Sequence, residues 1–151
     1  MSEKNPIRIF VTHTFAEHPD YRRVFEYLES SPNFFYVNCS NTESIPPTGG
    51  KEALKDELRA QIKMAEVVVV PSVMYLESRA WITYQMDVAQ AQNLPIVALE
   101  PFGGIQEMPK EVAARADETI AWNERVIVDA LRRQARHEDT TRWETIEFDM
   151  P

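Results

Sequence analysis

An open, doubly wound α/β sheet is the fold class this sequence predicts, on three observations. Val67-Val68-Val69-Val70 is a β-branched run with no polar alternation, the pattern of a strand buried on both faces at the centre of a parallel sheet. Short apolar or aromatic runs alternate with segments of helical periodicity from Arg8 to Arg136. At 151 residues and 44% hydrophobic content, the chain is long enough to bury one core without disulfides or metals.

Element by element, Arg8-Ile9-Phe10-Val11 reads as the first strand, and Asp20 to Leu28 as a helix with Tyr21, Val24, Phe25 and Leu28 at helical spacing. Phe34 to Val37 is aromatic enough for a second strand. Pro46-Pro47-Thr48-Gly49-Gly50 must be a loop. Lys51 to Met64 places Leu54, Leu58, Gln61 and Ile62 on one side of an amphipathic helix that leads into the valine strand. Ser78 to Asn93 is the next helix, stopped by Asn93 and Pro95, and Ile96 to Leu99 is the fourth strand. A short helix over Pro109 to Ala116, a strand over Glu118 to Trp122 and a closing helix over Asn123 to Arg136 complete the set. Right-handed crossovers among five strands then favour the flavodoxin-like order 2-1-3-4-5. The domain is expected over residues 1–136, followed by an acidic C-terminal tail, 137–151. Trp143, Ile146 and Phe148 are expected to pack that tail on the body or on a second protomer.

A formal charge of −8 opposes neutralisation of a phosphate backbone, so nucleic acid is not an expected partner. No run of 18 apolar residues and no charged-then-apolar leader occurs, so the expectation is a soluble cytoplasmic protein without membrane attachment. Cys39 is the lone cysteine, and no His/Cys cluster has ligand spacing, so no metal is expected. Glycine occurs only at 49, 50, 103 and 104, which excludes both G-x-G-x-x-G and the Walker loop.

Ligands of such sheets sit beyond the carboxyl ends of the strands where the order reverses, here strands one and three. The lips are then Thr12 to His18 and Pro71 to Ser78, offering Thr12, His13 and Phe15 on one side and Ser72, Tyr75 and Ser78 on the other. Hydroxyls, an imidazole and two ring faces suit a nucleotide. Plainer readings stand beside this one. Trp81 fits a core aromatic, His13 a loop residue satisfied by backbone, and Tyr75 and Phe15 a plug on the sheet top, while His18 and His137 read as surface residues.

Ser78-Arg79-Ala80-Trp81-Ile82-Thr83-Tyr84-Gln85-Met86-Asp87-Val88-Ala89 resembles the S-x-x-W-x-x-x-E-x-x-x-A signature of TIR-like domains, the family that includes the sensor component of Thoeris antiphage systems. Further pieces in order are Ile9 to His13, Tyr36 to Ser40, Met74-Tyr75, Asn93 to Val97, Met108 to Val112, Ala116 to Glu118, Trp122-Asn123 and Ile127 to Arg132. The resemblance implies cleavage of NAD+, as substrate rather than cofactor, to nicotinamide and a cyclic or conjugated ADP-ribose messenger. That messenger would act on a separate effector protein, with a homo-oligomer forming on activation. It also implies a binding set of Thr12, His13, Phe15, Asn38, Ser40, Tyr75, Ser78 and Trp81 around the catalytic position, 85. Thr12 exchanges one hydroxyl for the serine of many relatives. Gln85 replaces the catalytic glutamate and removes the charge that stabilises an oxocarbenium-like state, with an expected rate loss of roughly 10²–10³.

Two origins fit Gln85: an isosteric exchange made to hold a ligand unreacted, and a natural pseudoenzyme. Restoring glutamate is expected to leave the fold unaltered, on the premise that the site opens to solvent, and to raise turnover by at least roughly two orders of magnitude. The alternative functions are a catalytically silent TIR-like binding module and, ranked last, a nucleoside deoxyribosyltransferase-like enzyme.

Overall fold

The computed structural model describes residues 1–138; the segment 139–151, with the expected packing of Trp143, Ile146 and Phe148, lies outside the described residues. Its elements alternate as β1 (Ile7–Val11), α1 (Pro19–Glu29), β2 (Tyr36–Asn38), α2 (Gly50–Lys63), β3 (Val67–Pro71), α3 (Ser72–Glu77), α4 (Arg79–Ala91), β4 (Ile96–Leu99), α5 (Lys110–Arg115), β5 (Glu118–Ile120) and α6 (Glu124–Arg136). The sheet is parallel throughout with the order β2-β1-β3-β4-β5, the flavodoxin-like arrangement expected. Val69 of the central strand pairs with Val11 on one side and Val97 on the other.

The strand period of two divides the core into two layers. Val67 and Val69 join Ile7, Ile9 and Val11 beneath Val24 and Leu28 of α1 and Ile127 and Leu131 of α6. Val68 and Val70 join Phe10, Ile96 and Ala98 beneath Leu58 and Ile62 of α2, Ile82 and Met86 of α4 and Val112 of α5. β3 is buried at every position, as an unbroken valine run requires.

Several local expectations change. Pro71 to Ser78 is not a loop: Ser72–Glu77 is helical, and α4 begins again after a break at Ser78 (φ −138°, ψ 57°). Met74 and Tyr75 are buried there, and the Ser72 hydroxyl donates to the Leu99 carbonyl, so the turn docks on β4. β2 lies two residues later than expected, because Phe34 turns into the core while Ile7 bonds the Phe35 carbonyl and Cys39 the Ile9 carbonyl. β5 stops at Ile120, and Trp122 donates its indole N–H to the Glu100 carbonyl at 2.7 Å. His18 is not a plain surface residue: it is half-buried, and its Nδ1 caps α1 by accepting from the Asp20 N–H at 3.0 Å. His137 is exposed, closing α6 in the left-handed conformation.

Candidate functional site

β1 delivers Thr12 and His13 to the carboxyl edge of the sheet, where Thr12 N–H bonds the Val69 carbonyl at 3.0 Å. Both side chains are fully buried. Facing them, α4 presents Gln85, whose Oε1 accepts from the His13 N–H at 3.0 Å while its Nε2 donates to the His13 carbonyl at 2.8 Å and to the Trp81 carbonyl at 3.0 Å. The carboxamide therefore closes a two-point clamp on the His13 peptide, with both amide protons in use. Gln85 is 0% exposed, which overturns the expectation of a site open to solvent at this position. A carboxylate has no proton to give, so glutamate placed here would set one oxygen against two carbonyls.

The His13 ring extends the network. Its Nδ1 accepts from the Phe15 N–H at 3.1 Å, which places the ring proton on Nε2, and Nε2 donates to Gln61 Oε1 at 2.9 Å. The same Gln61 oxygen accepts from the Asn41 N–H, and Gln61 Nε2 donates to the Asn41 carbonyl and to Glu57. Burial holds the His13 pKa below the ordinary histidine value, against the upward pulls of the Gln61 hydrogen bond and the Glu57 charge. Phe15 adopts a left-handed φ of 61° and sets its ring edge-on to His13 at 4.9 Å. Thr12 Oγ1, among the described residues, is buried with no hydrogen-bond partner.

The remaining sequence candidates fall into two groups. Asn38 accepts from the Ser40 N–H at 2.8 Å and from the Ser40 hydroxyl, and it donates to Tyr21 Oη at 3.2 Å; the Tyr21 ring lies 6.1 Å from that of His13. Asn38 and Ser40 thus join the His13 group through Tyr21. Trp81 is half-buried against the α2/α4 layer, with the Lys51 ammonium 6.0 Å from its ring. Tyr75 is core, capped by the Arg79 guanidinium at 5.4 Å, and Ser78 marks the α3/α4 break. Sequence reasoning did not assign Gln61, Asn41 or Tyr21 to the site. Gln61 carried a signal, being an amide in the apolar stripe of Leu54, Leu58 and Ile62.

A five-stranded parallel sheet in this order, with the chain just after β1 fastened to α4 through Gln85, defines an α/β domain of the flavodoxin-like class. The family model described as Thoeris protein ThsB, TIR-like domain, matches residues 10–103, and the chain belongs to that family. Solved structures of similar fold include a conserved protein from Enterococcus faecalis V583, at 10% identity over 85% of this chain and 99% of that chain with a TM-score of 0.57. DNA processing protein A from Helicobacter pylori, for which a single-stranded DNA binding mode is described, matches at 12% identity over 88% and 83% with a TM-score of 0.55. Both likenesses concern the fold alone. No curated protein matches the sequence. Among the described residues no helix is long and apolar enough to cross a membrane, and no group of His, Cys, Asp and Glu is placed to hold a metal ion.

Proposed function

We propose that this chain serves antiviral defence as a TIR-like recognition module that does not turn over NAD+. One observation carries the reading: the Gln85 carboxamide, at the family's glutamate position, is fully buried and engaged with the backbone of His13 and Trp81. Cleavage of the nicotinamide–ribose bond develops positive charge on the sugar, and a preorganised carboxylate stabilises it. A neutral amide already bonded to peptide groups supplies no such charge. The carboxylate that joins the hydrogen-bond network, Glu57, bonds Gln61 rather than Gln85, and the Gln61 carboxamide lies between it and His13.

Family membership favours a second reading, NAD+ cleavage to nicotinamide and a cyclic or conjugated ADP-ribose for a separate effector, with assembly on activation. It requires charge stabilisation from groups other than residue 85. Nicotinamide release from NAD+, followed for the protein alone and after forced oligomerisation, separates the two. The recognition reading expects none above buffer. Release that falls on Thr12→Ala would establish the enzyme.

A further inference from the structure

A concave surface lies on the same edge of the sheet, away from the Gln85 clamp. It is a cleft of about 440 Å³ between the start of α1, α3 and the loop that follows β4. Its apolar wall is Val73, Phe102 and Ile105. Six large apolar side chains are exposed among the described residues, and three belong to this region: Ile105 at 92%, Phe102 at 43% and Leu76 at 40%. Val73 and Glu77 share a helix face at a spacing of four along α3, and Leu76 lies three residues after Val73. Gly103 and Gly104, at φ 89° and 71°, form the turn that turns Phe102 and Ile105 outward.

Phe102 is braced by its neighbours, one of which, Arg23, also lines the cleft. The Arg23 guanidinium lies 3.6 Å from its ring centroid, Trp122 meets it edge-on at 5.6 Å, and Arg23 is itself paired with Asp20. An exposed aromatic held in one place is the kind of anchor that dominates binding energy, because little entropy is lost when it is covered. The charges around the cleft are acidic. Arg23 and Asp20 compensate each other, and His18 uses Nδ1 as an acceptor and Nε2 on Glu77 at 3.0 Å. Glu77 remains, with its side chain 58% exposed, and Glu107 is exposed next to the lining residue Gln106.

We propose that this cleft docks a basic, amphipathic segment of a partner protein, its apolar side chains seated on Phe102, Val73 and Ile105 and its lysine or arginine on Glu77. None of the clamp residues lines the cleft, so NAD+ turnover by this chain would leave the assignment standing.

The test uses a fluorescein-labelled peptide with leucines at helical spacing flanked by lysines, and a twin with glutamates for the lysines, read by anisotropy against the full chain. The lysine peptide should bind at least roughly tenfold tighter than its twin, and this preference should weaken with salt. Ile105→Asp should weaken the lysine peptide roughly tenfold or more while the protein melts as before, since this side chain touches little. Glu77→Lys should reverse the charge preference. Glu77→Gln, which keeps a hydrogen-bond acceptor for His18, should abolish the preference even if the reversal disturbs folding. Equal binding of the two peptides, no binding, or affinities unmoved by Ile105→Asp would overturn the proposal. Self-association in sedimentation that Ile105→Asp removes would overturn it too, by giving this face to a second copy.

Discussion

Gln85→Glu changes one NH₂ to O and tests the clamp directly. In the native chain Nε2 donates to two carbonyls, at 2.8 and 3.0 Å, in a fully buried position. A glutamate there must either stay protonated or face those oxygens as an anion, so its folded pKa rises above the unfolded value of about 4.3. The penalty is thus absent below about pH 4 and grows as pH rises toward the folded pKa, because the folded state then binds a proton that the unfolded state has released. If the folded pKa reaches about 7, the variant at pH 7 stands about 2.7 units above the unfolded pKa, at about 1.4 kcal/mol per unit, and with the folded carboxyl half-ionised there the loss is about 3.3 kcal/mol. A residual loss of about 1 kcal/mol persists at low pH, since a protonated carboxyl satisfies one carbonyl where the amide satisfied two. Urea unfolding at about pH 7 and about pH 3.5 measures both numbers. If Gln85→Glu at pH 7 lies within about 0.5 kcal/mol of the parent, the clamp reasoning is wrong and the chain holds a carboxylate there without strain.

Two further predictions concern ionisation. His13 has a lowered folded pKa, so the unfolded chain takes up its proton first, and stability from this residue is present above about pH 6.5 and lost as pH falls below it. His13→Phe, though less stable overall, should show a shallower loss between about pH 6.5 and pH 5 in denaturant titrations; equal slopes would refute the assignment. Glu66 is lowered although burial alone would raise it, because Arg136 at 2.6 and 2.9 Å and the Arg8 N–H at 2.9 Å outweigh burial. Arg136→Met should therefore cost about 2 kcal/mol at pH 7, and this loss should shrink as pH falls below about 4.5 and Glu66 is protonated. A difference that is independent of pH would count against the pairing.

The sheet and its order were legible in the sequence, because a strand buried on both faces needs an unbroken apolar run and Val67–Val70 supplies one, with helical stripes on either side of it in the chain. The segment from Ser78 to Ala89 was legible as a family signature, since Ser78, Trp81 and Gln85 fall at fixed helical spacing. Local pattern did not reveal α3, where Ser72 and Glu77 look polar enough for a loop and the Ser72 hydroxyl finds its partners, the Leu99 carbonyl and the Met108 sulfur, far along the chain. Nor did it reveal the site chain from Gln85 through His13 to Gln61 and Asn41, whose members stand 72, 48 and 20 residues apart along the sequence. Residue types and their periods determined the layers of this protein. Whether Gln85 faces a ligand or a peptide bond was decided only by tertiary structure, because the partner of a buried amide is whatever backbone the fold carries past it, and here β1 brings the His13 peptide within 3 Å of its oxygen and nitrogen.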